Sequence, residues 1–187
     1  MNTIMKPVIF IMTLILAAHS GFASEFILDD TLNSKDTMEY DLDFYTEYSQ
    51  FYVCDSEDEI KHGLWTDKSS HTARLDFSPG IIAVITECYG PVKGQIRILN
   101  SENNEFDFDS FDHIVEAELI ISSGSLQIRS CTSSEIELKI EIPNGQYRCR
   151  IYSSNLDSVI GDEGDDFYTI DVWPSTETGR KVLKQHK

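Results

Sequence analysis

The sequence predicts an all-β fold, a single antiparallel β-sandwich of about eight or nine strands that follows a cleaved signal peptide. Three observations predict it. Short apolar stretches alternate with polar residues at a period of two. Turn signals separate those stretches at short intervals. Beyond residue 23, no long stretch carries the 3.6-residue apolar period of a helix. A closed barrel is the alternative way to arrange such strands.

The first 23 residues have the three parts of a secretory signal: Lys6, an apolar run from Val8 to Ala18, and the small residues Gly21 and Ala23 before a cut. The run is short for a membrane span and nothing later approaches that length, so the expectation is a chain free of the membrane once cleaved, in the periplasm or secreted. Residues 24–47 form an acidic lead-in with Asp29, Asp30, Asp36, Glu39, Asp41, Asp43 and Glu47. The sandwich is expected over 48–174.

Its first strand is Tyr48 to Cys54, rich in aromatics and ended by Asp55, Glu57, Asp58 and Glu59. Arg74 to Phe77 forms a short strand before the turn Ser78-Pro79-Gly80. Ile81 to Thr86 is a continuous apolar run, as in a strand buried on both faces. Gln95 to Leu99 alternates, and His113 to Ile121 alternates again, with Val115, Ala117, Leu119 and Ile121 on one face and Glu116 and Glu118 on the other. Ser122-Ser123-Gly124 turns the chain into Leu126 to Ser130.

The most regular stretch runs from Glu135 to Tyr152 and reads as one long hairpin. Ile136, Leu138, Ile140 and Ile142 alternate with charged residues. Pro143-Asn144-Gly145-Gln146 supplies an Asn-Gly pair suited to a type I′ turn, and Tyr147, Cys149 and Ile151 return on the apolar face. The polar face of the hairpin, with Arg148 and Arg150, is expected to meet water. A last strand, Phe167 to Trp173, is stopped by Pro174. Residues 175–187 form a basic tail, with Arg180, Lys181, Lys184 and Lys187 against Glu177.

The formal net charge is −17, and the basic tail means that the body is more acidic still. Such a surface repels nucleic acid and anionic membrane and steers basic partners toward it. The four cysteines, Cys54, Cys88, Cys131 and Cys149, form no C-x-x-C pair, which argues against zinc and redox motifs. In an exported chain they are expected as structural disulfides or buried thiols, and their pairing is open. No Asn-x-Ser/Thr sequon is present.

Motifs for an enzyme are missing. There is no G-x-S-x-G, no phosphate-cradling Gly-rich loop and no dinucleotide fingerprint, and His62 and His71, which flank Trp65, stand in polar loops without ligand spacing. The reading is therefore a non-enzymatic protein without a cofactor. Acidic loops are the recurrent feature. Asp55, Glu57, Asp58 and Glu59, then Asp67, then Asp107, Asp109 and Asp112, then Asp162, Glu163, Asp165 and Asp166 are candidate contacts for a basic protein partner. Trp65 is a candidate anchor among them. The same loops offer hard oxygen ligands, so a calcium-binding envelope or adhesion-type module is the alternative, although neither acidic loop follows the EF-hand pattern.

Four short blocks occur in an order that resembles the competence protein J family: Tyr48-x-Gln50-Phe51-x-Val53, Trp65-Thr66-Asp67, Pro143-x-Gly145-x-Tyr147 and Tyr168-x-Ile170-Asp171. They span most of the chain after the lead-in. The resemblance implies an inhibitor of a DNA-entry nuclease, and so a nuclease or another toxin as partner, in the manner of an immunity protein. The signal peptide, the four cysteines and the acidic lead-in depart from that family.

Overall fold

The computed structural model describes residues 37–56, 63–132 and 135–187. The expected signal peptide and the first part of the lead-in lie outside the described residues. Among the described residues no helix is long and apolar enough to cross a membrane. The strands are β1 (Met38–Tyr45), β2 (Gln50–Cys54), β3 (Leu75–Ser78), β4 (Ile81–Ile85), β5 (Pro91–Ile98) and β6 (His113–Ile121). They continue as β7 (Ser125–Ser130), β8 (Ile136–Glu141), β9 (Gly145–Ser154), β10 (Phe167–Pro174) and β11 (Lys181–Lys184), with one short α-helix among the described residues, α1 (Lys68–Thr72).

The strands form two sheets, which do not close into a barrel. One has six strands in the order β1-β5-β10-β9-β6-β11, the other five in the order β3-β4-β2-β7-β8. Their inner faces share one core. Phe51 of β2 meets Phe44 of β1 and Tyr168 of β10 edge-on at 5.9 and 6.0 Å, and Leu126, Ile128, Ile140, Val115, Ile151 and Ile170 fill the space beside them. Burying such side chains contributes roughly 1.5–3 kcal/mol each, which is what holds two amphipathic sheets together.

The stretch from Glu135 to Tyr152 is not a hairpin. Its first arm, β8, pairs with β7 in the five-stranded sheet, while its second, β9, lies between β6 and β10 in the other. Neither Asn144 nor Gly145 takes a positive φ, so the type I′ turn is absent. The reason is competition for neighbours. A strand has two hydrogen-bonding edges, and both edges of β9 are occupied by β6 and β10, whose Glu116 and Asp171 stand opposite Arg150. The chain crosses between sheets here, alongside the earlier crossing at Ser122–Gly124, and the Ile142 N–H donates to the Gly124 carbonyl at 3.1 Å.

Three further differences concern the margins of the fold. Part of the lead-in is a strand, since β1 pairs antiparallel with β5 along eight residues. Part of the tail is a strand too, β11 on β6, and Arg180 donates to the Ser70 hydroxyl at 2.7 Å and to the Leu75 carbonyl at 2.9 Å. Finally, β5 and β10 run parallel, so the sheets are not wholly antiparallel.

That parallel pair depends on Gly94. A Cβ at this position would collide with the Tyr168 carbonyl of β10. Gly94→Ala is expected to cost about 3 kcal/mol through overpacking, read as a lowered urea midpoint. An unchanged midpoint would mean that the two strands separate freely.

Candidate functional site

The site is built on the outer face of the six-stranded sheet. On β1 the inner positions go to Tyr40, Leu42 and Phe44, which leaves Glu39, Asp41 and Asp43 exposed on the other side, about 7 Å apart along the strand. They form a straight row of carboxylates at the sheet edge.

Beyond β5, residues 99–112 cross the same face as a strap. The Leu99 N–H donates to Val172 and the Asp112 N–H to Ser153, each at 2.8 Å, which fixes its two ends. Phe106 and Phe111 lie on the Tyr152 ring at 5.0 and 4.8 Å. Glu102, Glu105, Asp107 and Asp109 are left exposed. Between the strap and β1 lies a cleft of about 510 Å³, lined by Glu39, Arg97, Asn100, Glu102, Asn103 and Glu105 among others.

What holds the strap is a buried ionic network, and here the expected solvent-facing side of β6 and β9 proves to be covered. Glu116, Arg148, Arg150, Tyr152 and Asp171 are all buried. Arg150 donates through Nε to Glu116 at 2.6 Å, through Nη2 to Glu102 at 2.5 Å and through Nη1 to the Asn103 carbonyl at 3.0 Å. Its guanidinium lies 4.9 Å from the Trp173 ring centre and 5.4 Å from that of Phe106. Arg148 donates to Glu116 at 3.1 Å and to the Gly179 carbonyl at 2.6 Å. Asp171 accepts from Arg97 at 2.6 Å, Tyr152 at 3.1 Å and Asn103 at 3.3 Å. Each buried charge thus has opposite charge and hydrogen bonds against it, the condition under which burial of ions is tolerable. Burial pushes the Tyr152 hydroxyl up to about 12, so it stays a neutral donor.

The acidic residues expected as contacts divide into three groups. Asp107 and Asp109 stand exposed on the strap, and Asp107 accepts from the Asp109 N–H at 3.1 Å and the Ser110 hydroxyl at 2.6 Å. Asp112 accepts from the Leu156 N–H at 2.9 Å and ties the strap to residues 155–166, where Asp157, Asp162, Glu163 and Asp165 are exposed. Asp67 is exposed but caps α1 through the Ser69 N–H. Glu57, Asp58 and Glu59 lie outside the described residues, as does His62.

Asp55 and Asp166 are withdrawn from the surface. Asp55 accepts from the hydroxyls of Ser122 and Ser123 and the Ser123 N–H, at 2.5, 2.6 and 2.9 Å. Asp166 accepts from the N–H groups of Glu87 and Cys88 at 3.1 and 3.0 Å and from the Tyr168 hydroxyl at 2.6 Å. Burial alone would raise both carboxyls, but these donors outweigh it and hold both below the usual carboxylate range. A carboxyl whose value is depressed by folding contributes stability above its unfolded value and loses it as pH falls. The thermal midpoint should therefore drop as pH falls below about 4, and Asp166→Asn should flatten that dependence. A midpoint indifferent to acid would contradict this account of the two aspartates.

Trp65 is a half-buried lid on the five-stranded sheet. Its ring packs on the cluster of Tyr52, Cys54, Ile81, Ala83 and Cys131 and lies 5.2 Å from His71, and the Trp65 backbone N–H donates to the Asp76 carboxylate. The four cysteines are buried, and no disulfide joins any two of them. Burial, then the adjacent Asp166 carboxylate, push the Cys88 thiol up to about 12, and burial raises Cys149 as well, so neither forms a reactive thiolate at neutral pH. Among the described residues no group of three or more His, Cys, Asp or Glu is placed to hold a metal ion.

The β1 row escaped sequence reasoning, although its signal is present: Glu39, Asp41 and Asp43 alternate with Tyr40, Leu42 and Phe44. Glu102 was missed because its partner Arg150 lies 48 residues away.

No protein-family model and no curated protein sequence matches this chain. Among solved structures it is similar to the crystal structure of ComJ, inhibitor of the DNA degrading activity of NucA, from Bacillus subtilis. The identity is 16% and the TM-score 0.58, over 74% of this chain and 98% of that one. It is also similar to crocagin biosynthetic gene J, at 14% identity and a TM-score of 0.48 over the same shares of the two chains. The chain has a ComJ-like fold.

Proposed function

We propose that this chain is an exported, non-enzymatic inhibitor of a basic nuclease, which it blocks by laying carboxylates into the groove that receives DNA phosphates. One observation carries the reading: the fold of a nuclease inhibitor presents a straight row of exposed carboxylates on β1, beside further carboxylates on the strap. A groove that binds nucleic acid is lined with Lys and Arg to neutralise phosphates. A rigid acidic edge competes for those cations and is drawn in by the same field, with association that weakens as salt rises. The full-chain charge of −17 supplies that field, and the N-terminal apolar run supports export.

The test is co-purification of the tagged full chain from its own cells at low and high salt, with the retained proteins identified and assayed for DNA cleavage. The account expects a basic nuclease held at low salt and released at high salt. Retention of no nuclease under either condition would overturn it.

A further inference from the structure

At the end of the fold where β1 turns into β2, two loops are fastened into one platform. The Thr46 N–H donates to the Gly90 carbonyl at 2.7 Å, the Ser49 N–H to Tyr89 at 3.3 Å, and the Thr86 N–H to Ser49 at 2.9 Å. Three tyrosines stand on this platform in solvent: Tyr45 at 64% exposure, Tyr48 at 63% and Tyr89 at 39%. The rings of Tyr48 and Tyr89 lie 6.3 Å apart at 59°. The Tyr45 ring lies across Gly90, where a Cβ would collide with it.

The backbone beneath them is strained. Tyr48 and Ser49 have φ of 57° and 50°, two consecutive non-glycine residues in the left-handed region. A turn that only reversed the chain would favour Gly or Asn there. Strain of this kind persists where a particular side-chain placement is needed. Here its visible product is an exposed aromatic ring.

The surroundings are acidic. Asp43 shares a face of β1 with Tyr45, and Glu47 lies between Tyr45 and Tyr48. Asp166 ties residues 155–166 to Glu87 and Cys88, which brings the exposed Asp157, Asp162, Glu163 and Asp165 toward the same end. The nearby cations are Arg74, paired with Glu87 at 2.7 Å, and Lys93, opposite Asp43 on β5.

We infer that Tyr45, Tyr48 and Tyr89 are the anchor of the inhibitory interface, a platform whose ring faces receive arginine side chains of the basic partner while the surrounding carboxylates supply the counter-charge. This rests on the proposed inhibitor role for its partner. Guanidinium groups are attracted to aromatic faces within about 6 Å and stack on them flat. Tyrosine is enriched among the residues that dominate interface energetics, and its ring is ordered at little entropic cost.

The experiment uses the full chain and two probes. In the first, an eight-residue peptide of alternating Arg and Gly is titrated while the tyrosine ring signals are followed by NMR. In the second, inhibition of the nuclease captured by the unaltered chain is compared among variants whose melting temperatures are unchanged. The expected result is that the peptide shifts the three rings, that Tyr45→Ala with Tyr48→Ala weakens inhibition at least tenfold, and that the matching Phe variants keep it. If the alanine variants inhibit as well as the unaltered chain, the inference falls and the inhibitor role stands. If no nuclease is captured but the rings still move with the peptide, the inhibitor role falls and the arginine-receiving platform stands. Rings that ignore the peptide, with no nuclease captured, overturn both.

Discussion

Arg150→Ala is expected to destabilise the protein by about 3–5 kcal/mol, the cost of leaving a buried partner charge uncompensated. Glu116 is buried, and without Arg150 it loses its 2.6 Å partner and keeps the Arg148 hydrogen bond at 3.1 Å, with the Lys181 ammonium 4.0 Å away. The loss extends beyond the ion pair. Arg150 also donates to Glu102 and to the Asn103 carbonyl, so its removal unfastens the strap from β9. Equilibrium unfolding in urea gives the stability. Hydrogen exchange of residues 99–112 gives the second readout, since the strap should exchange faster than the rest of the fold. Glu102→Gln separates the two effects, because it weakens the strap contact and leaves the Glu116 pair intact. A loss below about 1 kcal/mol for Arg150→Ala would place this network among ordinary surface ion pairs and contradict its burial.

Charge reversal of the β1 row should act in the opposite way, with a large effect on binding and only a modest cost to the fold, from setting lysines opposite Arg97 and Lys93 of β5. Glu39, Asp41 and Asp43 are exposed at a sheet edge, and substitutions at such positions usually change stability by no more than about 0.5 kcal/mol. Lysine is itself common on edge strands. Glu39→Lys, Asp41→Lys and Asp43→Lys together turn the row from attraction to repulsion toward a cationic groove. The expected loss in inhibitory affinity is on the order of 100-fold at low salt, most of it in the association rate, and it should shrink as salt rises. Titration of nuclease activity with the triple variant measures this directly. Inhibition unchanged at low salt would remove the outer face of the six-stranded sheet from the interface.

Much of the fold was legible because burial leaves a period in the chain. The continuous apolar run at Ile81–Ile85 and the alternation at His113–Ile121 are both strands in the structure. The blocks from Tyr48 to Asp171 pointed to the inhibitor whose fold the chain shares. What a period of two does not report is which strand lies alongside. Ile136–Glu141 and Gly145–Ser154 each alternate cleanly and sit close in sequence, yet they belong to different sheets. Nor does it distinguish a face turned to water from one buried under a strap. Glu116, Arg148 and Arg150 look like solvent-facing charges because their neutralising partners come from elsewhere in the chain. Asp55 and Asp166 were read as surface acids for a related reason: each is satisfied by donors supplied from another loop.

The most direct measurement of the central claim is the rate of DNA cleavage by the chain's captured nuclease as the purified inhibitor is added, repeated at several DNA concentrations and ionic strengths. Occlusion of a phosphate-binding groove predicts inhibition that DNA competes away and that weakens steadily with salt. Inhibition indifferent to DNA concentration, or cleavage that continues at full rate with inhibitor in excess, would contradict it.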